Sequence, residues 1–234
     1  MDSSGSNLTC QGNFSGYIIG DGPLMTETHP ERPRQRTPRF ELIAGNVCLD
    51  FINTLDDRPS ADPKELLTRY TDLVRFGEDS GLLDAGTAGY LFEHSHVAPE
   101  EMQEALRKAI DLREAMHQVF SAIVNRNSVP VAALGILNGY IQEAAGQARL
   151  VQVNRCFEWR FDFLTSPGSL RWPIAGAAAD LLASPDLALV RACSSPACQW
   201  LFLDTSKNHH RRWCSMKQCG NREKVRRFYA RRRA

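Results

Sequence analysis

Two short cysteine pairs, Cys193-x4-Cys198 and Cys214-x4-Cys219, stand fifteen residues apart near the C-terminus and use four of the seven cysteines. No other feature constrains the fold as strongly. Thiols at this spacing can close around a single ion, and zinc suits them best because it accepts four sulfurs without redox demands. No basic-then-apolar signal pattern opens the chain, and no apolar run is long enough to span a bilayer. A reducing, cytoplasmic setting is therefore expected, in which such pairs read as metal ligands rather than disulfides. Cys193, Cys198, Cys214 and Cys219 are thus the expected ligands of one zinc ion. Four thiolates leave no position for a reacting water, so the zinc is expected to be structural. His209 and His210 are the alternative ligands.

The sequence around the pairs predicts a small module. Ser194 to Ala197 folds the first pair into a knuckle, Gln199–Leu203 follows as a strand paired with 188–192, and a turn at 204–208 leads back to the second pair. Asn221 then begins a helix over 221–232. So few apolar residues cannot form a core alone, so metal binding must supply much of the folding free energy. Val225, Phe228 and Tyr229 fall on one side of the helix and are expected to pack back on Trp200 or Trp213. Arg222 and Arg226 share one flank, and Lys224, Arg227 and Arg231 another.

The formal net charge of +1 hides a division. From residue 191 onward there are 12 Lys and Arg against 2 Asp and Glu, so the rest of the chain is acidic. A basic end on an acidic body points to a polyanionic partner. Lys207, Arg211, Arg212, Asn221, Arg222, Lys224, Arg226, Arg227 and Arg231 are the candidate nucleic-acid contacts. Guanidinium groups serve phosphates first and guanine edges second. The competing reading is a solvated basic tail, against which stands the interleaving of Trp213, Val225, Phe228 and Tyr229.

Residues 1–38 are rich in Gly, Ser, Thr and Pro and read as a disordered leader. A helix-rich body is expected over 39–186. After a turn at Gly45-Asn46, Val47–Leu55 has helical spacing, with a strand left open at its start. Asp62-Pro63-Lys64-Glu65 has the form of a helix start, continued by Leu66, Leu67, Tyr70, Leu73 and Val74. Further helices are predicted over 82–96, 99–127, 130–147 and 172–183. Between the last two, 149–153 and 156–163 alternate as an antiparallel hairpin. The fold class is α+β: a helix-rich N-terminal domain with a β-hairpin, then a small treble-clef-like zinc finger over 187–234.

Catalytic signals in the body are thin. His94, His96 and His117 lack partners at ligand or triad spacing, and there is no phosphate-binding glycine loop, dinucleotide fingerprint or G-x-S-x-G. The chain is not expected to be an enzyme. Asp50 and Asn53, polar in an apolar segment, either satisfy backbone groups or line a ligand pocket with Trp159 of the hairpin.

The run from Trp213-Cys214 to Cys219-Gly220-Asn221-Arg222, with Cys193-x4-Cys198 before it, resembles the CGNR zinc finger. Gly45-Asn46-Val47-Cys48-Leu49-Asp50-Phe51-Ile52-Asn53-Thr54-Leu55 looks like the opening of the ABATE domain, which precedes that finger in bacterial stress-induced transcription regulators. The resemblance covers about residues 40–234. It implies structural zinc, DNA binding and a role in transcription, and identifies no inducer. The leading expectation is a regulator whose body senses a small-molecule effector or forms a homodimer and whose finger grips duplex DNA, with no membrane association. An RNA- or protein-interaction module, or a ligand-binding or enzymatic body with a targeting finger, is the alternative.

Overall fold

The computed structural model describes the backbone of residues 40–233, and the side chains of all of these except Arg227, Arg231 and Arg233. The leader read over 1–38 lies outside the described residues. Gly45 turns the chain with φ of +80°, a conformation open to glycine at little cost. Asn46 then caps α1 (Val47–Ile52) by accepting from the Cys48 amide. α2 spans Tyr70–Asp79, α3 Ala85–His94, α4 Pro99–Val124, α5 Val131–Gln147 and α6 Arg171–Ala183. α6 is buried nearly all round, from Arg171 to Ala178, as its Ala-rich sequence requires of a helix packed between others. It lies against α1, α4 and α5. α4 contributes Ala105, Ala109, Leu112, Met116, Val119 and Phe120 to the core. Among the described residues no helix is long and apolar enough to cross a membrane.

One predicted helix start is corrected. The residues 62–65 do not open α2: Lys64–Glu65 forms β2, antiparallel to β1 (Leu55–Asp56), and the helix begins at Tyr70. The cause is Arg113, only 2% exposed on α4. Its guanidinium takes both oxygens of Glu65 at 2.6 and 2.7 Å and donates to Thr54 Oγ1 at 3.2 Å. Arg113 Nε also donates to Glu114 at 2.9 Å, but Glu65 is the carboxylate that takes both terminal nitrogens. Breaking such a buried pair costs up to about 3–5 kcal/mol, whereas a local helix cap is worth ~1 kcal/mol. The long-range ion pair wins. Asp72 starts α2 instead, its carboxylate accepting from the amides of Thr68 and Arg69 and from the Thr68 hydroxyl.

The second hairpin, β3 (Arg149–Val153) with β4 (Cys156–Arg160), has the predicted register about Asn154-Arg155, and its second strand is shorter than expected.

The C-terminal part is not a detached module. β5 (Val190–Ala192) pairs antiparallel with β6 (Leu201–Leu203), and β6 is buried throughout. Its outer edge is gripped by the first segment of the body. The Leu203 amide donates to the Ala44 carbonyl at 2.7 Å, and Asn53 bonds both backbone groups of Leu201. One apolar core runs from Phe40 through α1, α4 and α6 to the four cysteines. The core that the last segment lacks is borrowed from the body.

Candidate metal centre and basic helix

The knuckle after β5 carries Cys193 and Cys198. Its geometry follows from short-range backbone bonds, Cys193 N–H to Trp200 O at 2.8 Å and Cys198 N–H to Ser195 O at 3.0 Å. Gln199 turns the chain back into β6 with φ of +59°. A single π-type turn, Met216–Gly220, closed by Gly220 N–H to Ser215 O at 3.0 Å, delivers Cys219 to the start of α7 (Asn221–Arg233). The ligand atoms of Cys193, Cys198, Cys214 and Cys219 all lie within 4.8 Å of one another, and all four residues are buried.

These sulfurs fit zinc. Cys198 and Cys214 sulfurs are 3.6 Å apart, and Cys214 and Cys219 sulfurs 3.7 Å. A tetrahedron with Zn–S bonds of about 2.3 Å has edges of about 3.8 Å. Hydrogen bonds from the Cys198 and Cys214 thiols hold the Cys193 thiol low, and the mirror of those contacts pushes Cys198 and Cys214 up. So crowded a set ionises fully only around a cation. Bound there, zinc cross-links the knuckle to the helix start. His209 does not join the set; its Nδ1 lies 2.8 Å from the Asp204 carbonyl.

The tetrad from Cys219 to Arg222 shares the work of this centre. Cys219 is a ligand, the Asn221 side-chain amide donates to the Lys217 carbonyl at 3.1 Å, and Arg222 donates to the Cys219 sulfur at 3.3 Å. That sulfur holds the guanidinium pKa above its ordinary value. Arg222, expected to face DNA, first supports a zinc ligand.

Arg211 is a second correction. Its guanidinium donates to the carbonyls of Trp213, Ile43 and Cys214 and lies 4.4 Å from the centre of the Phe202 ring. It ties the loop to the body rather than offering itself outward. Asp204, fully buried, organises the same loop by accepting from the amides of Ser206 and Arg211. Burial alone would raise its carboxyl, but bonds from Ser206 and Arg211 outweigh it and hold the group low. A turn-forming Asp was legible in sequence; its service to Arg211 was not.

Lys207, Arg212, Asn221, Lys224 and Arg226 are exposed, as is most of Arg222, and the side chains of Arg227 and Arg231 lie outside the described residues. Arg212 lies over the Trp213 ring at 5.2 Å, and Arg226 pairs with Glu223 at 2.9 Å. Glu223, which nothing in the sequence singles out, is 5% exposed and accepts from the Ser195 hydroxyl at 3.2 Å. It anchors α7 to the knuckle. The expected apolar anchor is overturned: Val225, Phe228 and Tyr229 are 55%, 56% and 58% exposed, while Trp200 is buried.

Asp50 and Asn53 serve the backbone. Asp50 accepts from the Ala44 amide at 2.9 Å, and both polar atoms of Asn53 are taken by Leu201. Trp159 lies on β4 opposite Leu150. A cavity of about 420 Å³ instead opens beside the cysteines, lined by Asp56, Asp57, Lys64, Trp200 and Arg222 among others.

The fold and centre define a class: a helical body fused through its core to an all-thiolate zinc finger with a basic terminal helix. Comparison with family models agrees. Residues 45–185 match the ABATE model, described as "Putative stress-induced transcription regulator", and residues 190–232 match the CGNR zinc finger. The chain belongs to the ABATE family, with a CGNR zinc finger that can bind one zinc ion through its four cysteines. Comparison with curated proteins finds no match.

Proposed function

We propose that the protein is a DNA-binding transcription regulator whose zinc finger carries the contact with duplex DNA and whose helical body governs the finger's placement. One observation carries this reading. The exposed cations Lys207, Arg212, Lys224 and Arg226 are gathered on the finger, and the two acidic residues there, Asp204 and Glu223, are buried and spent on internal bonds. Glu223 offsets Arg226, and the remaining outward charge of this end is positive, which suits a phosphate backbone. The activity is binding rather than catalysis, since a four-thiolate zinc has no open position. Its place of work is the cytoplasm, where a bacterial chromosome is reached.

Through Asn53, Ala44 and Ile43 the body holds the finger directly, so a change in the body moves the DNA-binding surface. An effector pocket formed by Asp50, Asn53 and Trp159 is not part of this proposal, because two of the three are engaged in that hold. The cleft beside Asp56, Asp57 and Arg222 is the better-placed site for a small effector.

The test is a salt titration of affinity for a labelled duplex. Binding should weaken steeply with salt. The Arg212→Ala/Lys224→Ala variant should lower the slope of log K against log salt by about 2, one for each phosphate that no longer meets a cation. Affinity indifferent to salt and to both substitutions would defeat the proposal. Preference for structured RNA over duplex DNA would favour the RNA-module reading instead.

A further inference from the structure

We infer that α7 meets duplex DNA with its apolar stripe, Val225, Phe228 and Tyr229 lying against base edges in the major groove while cations beside the stripe reach the phosphates. This rests on the reading of the finger as a DNA-binding element and specifies how its helix is used.

α7 is held to the protein at its first turn, where Glu223 is buried against Ser195, and every described residue from Lys224 onward is exposed. At about 100° per residue, positions 225, 228 and 229 fall on the side away from Glu223. Their exposure agrees with that geometry. Three large apolar side chains at i, i+3 and i+4 on an outward helix face form a contiguous patch that calls for a partner.

The charge around the stripe chooses the partner. Lys224 lies to one side and Arg222 and Arg226 to the other, and the guanidinium of Arg232 sits 5.0 Å from the centre of the Phe228 ring. A second copy packed face to face would set these cations against themselves, with Glu223, the helix's acid, already buried. A DNA groove offers what the helix lacks: phosphates along both rims and an apolar floor wherever a thymine methyl projects. A helix about 10–12 Å across fits a major groove about 12 Å wide.

Single strands are the poorer match. Sequence-tolerant binding of unpaired bases needs ring faces on which bases can stack. Here Phe228 and Tyr229 meet edge to face, with planes at 77° and centroids 5.6 Å apart, and Arg232 covers the Phe228 ring. The pair forms a wedge rather than a platform.

The experiment uses the full-length, zinc-loaded protein, its Phe228→Ala/Tyr229→Ala variant, and a labelled mixed-sequence duplex prepared with thymine or with uracil throughout. Because both side chains are exposed, zinc content and melting temperature should not change. Affinity for the thymine duplex should fall about 10–100-fold with the salt slope unchanged, since the variant gives up base edges and keeps its phosphates. The wild type should prefer thymine to uracil, and the variant should not. Equal affinity of variant and wild type overturns the inference and leaves the DNA-binding reading standing; failure of the wild type to bind duplex DNA removes both. Loss of self-association in sedimentation, with DNA affinity intact, overturns it in favour of a second copy. A variant defect confined to single-stranded DNA or RNA overturns the duplex assignment.

Discussion

Asn53 holds Leu201 by both of its backbone groups: the side-chain amide donates to the Leu201 carbonyl at 2.9 Å, and its oxygen accepts from the Leu201 amide at 3.0 Å. The two residues are 148 positions apart. A side chain from the C-cap of the first helix thus imitates a strand and closes the open edge of the finger's hairpin, so the body completes the finger's sheet.

Asn53→Ala should therefore do more than soften the body. It leaves a buried N–H and C=O without partners, at about 1–3 kcal/mol each. Urea denaturation should show a loss of about 2–6 kcal/mol, and a chelator should strip zinc from the variant faster than from the wild type. An unchanged zinc off-rate would show that finger and body are not coupled through this contact.

Metal analysis should find one zinc per chain, abolished by Cys214→Ser. Structural zinc contributes about 10–16 kcal/mol in small modules. Because β6 is embedded in the common core, chelation should also lower the melting temperature of the body.

Arg222→Ala removes the charge-assisted bond to the Cys219 sulfur. Partners of metal ligands typically carry a 10–100-fold effect on metal affinity, and a competition titration with a chromophoric chelator should read a loss in that range. If Arg222 acted on DNA alone, zinc affinity would stay put.

Arg113→Ala leaves Glu65 without its partner at the base of the β1–β2 hairpin and empties a buried site. A loss of about 2–3 kcal/mol in denaturation is expected, below that of a fully buried pair because the Glu65 side chain is 31% exposed. Proteolysis should then cut near residues 56–64, where the hairpin is no longer held to α4.

Asp50 supplies a pH dependence. Burial raises its carboxyl to about 6, against the partial relief given by the amides of Ala44 and Ile43. The folded state therefore favours the neutral acid: its contribution is full below the unfolded pKa of about 4 and is lost as pH rises through about 6. Asp50→Asn removes this dependence. From pH 4 to 8 its stability relative to the wild type should improve by up to about 3 kcal/mol. His117 works oppositely: burial, then the Arg58 charge, lowers it to about 4, so its contribution is lost as pH falls below about 6.5. Being common to both proteins, it cancels in the comparison. A difference that does not vary with pH would exclude Asp50 as its source.

Much of this molecule could be read without coordinates, for local reasons. Matched C-x4-C spacing states a four-thiolate site because the ligands lie within a few residues of each knuckle. The helices α4, α5 and α6 and the turn of the β3–β4 hairpin follow from periodicity and from Asn154-Arg155. Leu134 shows the limit: its place in the apolar pattern of α5 predicts burial, yet it is 40% exposed.

What tertiary structure decided concerns charges and edges, whose partners lie far away in the chain. The local cap at residues 62–65 lost to Arg113 because a buried guanidinium needs a carboxylate more than a helix needs a cap. The basic helix left its apolar side exposed because it is fixed at its first turn alone, where Glu223 is bonded to Ser195 and Arg226 on the side away from the stripe. Composition determined that the last segment would bind zinc and carry positive charge. Only the packing of β6 against Ala44 and Asn53 decided that finger and body would share one core, because an open strand edge is satisfied by whatever the fold brings beside it.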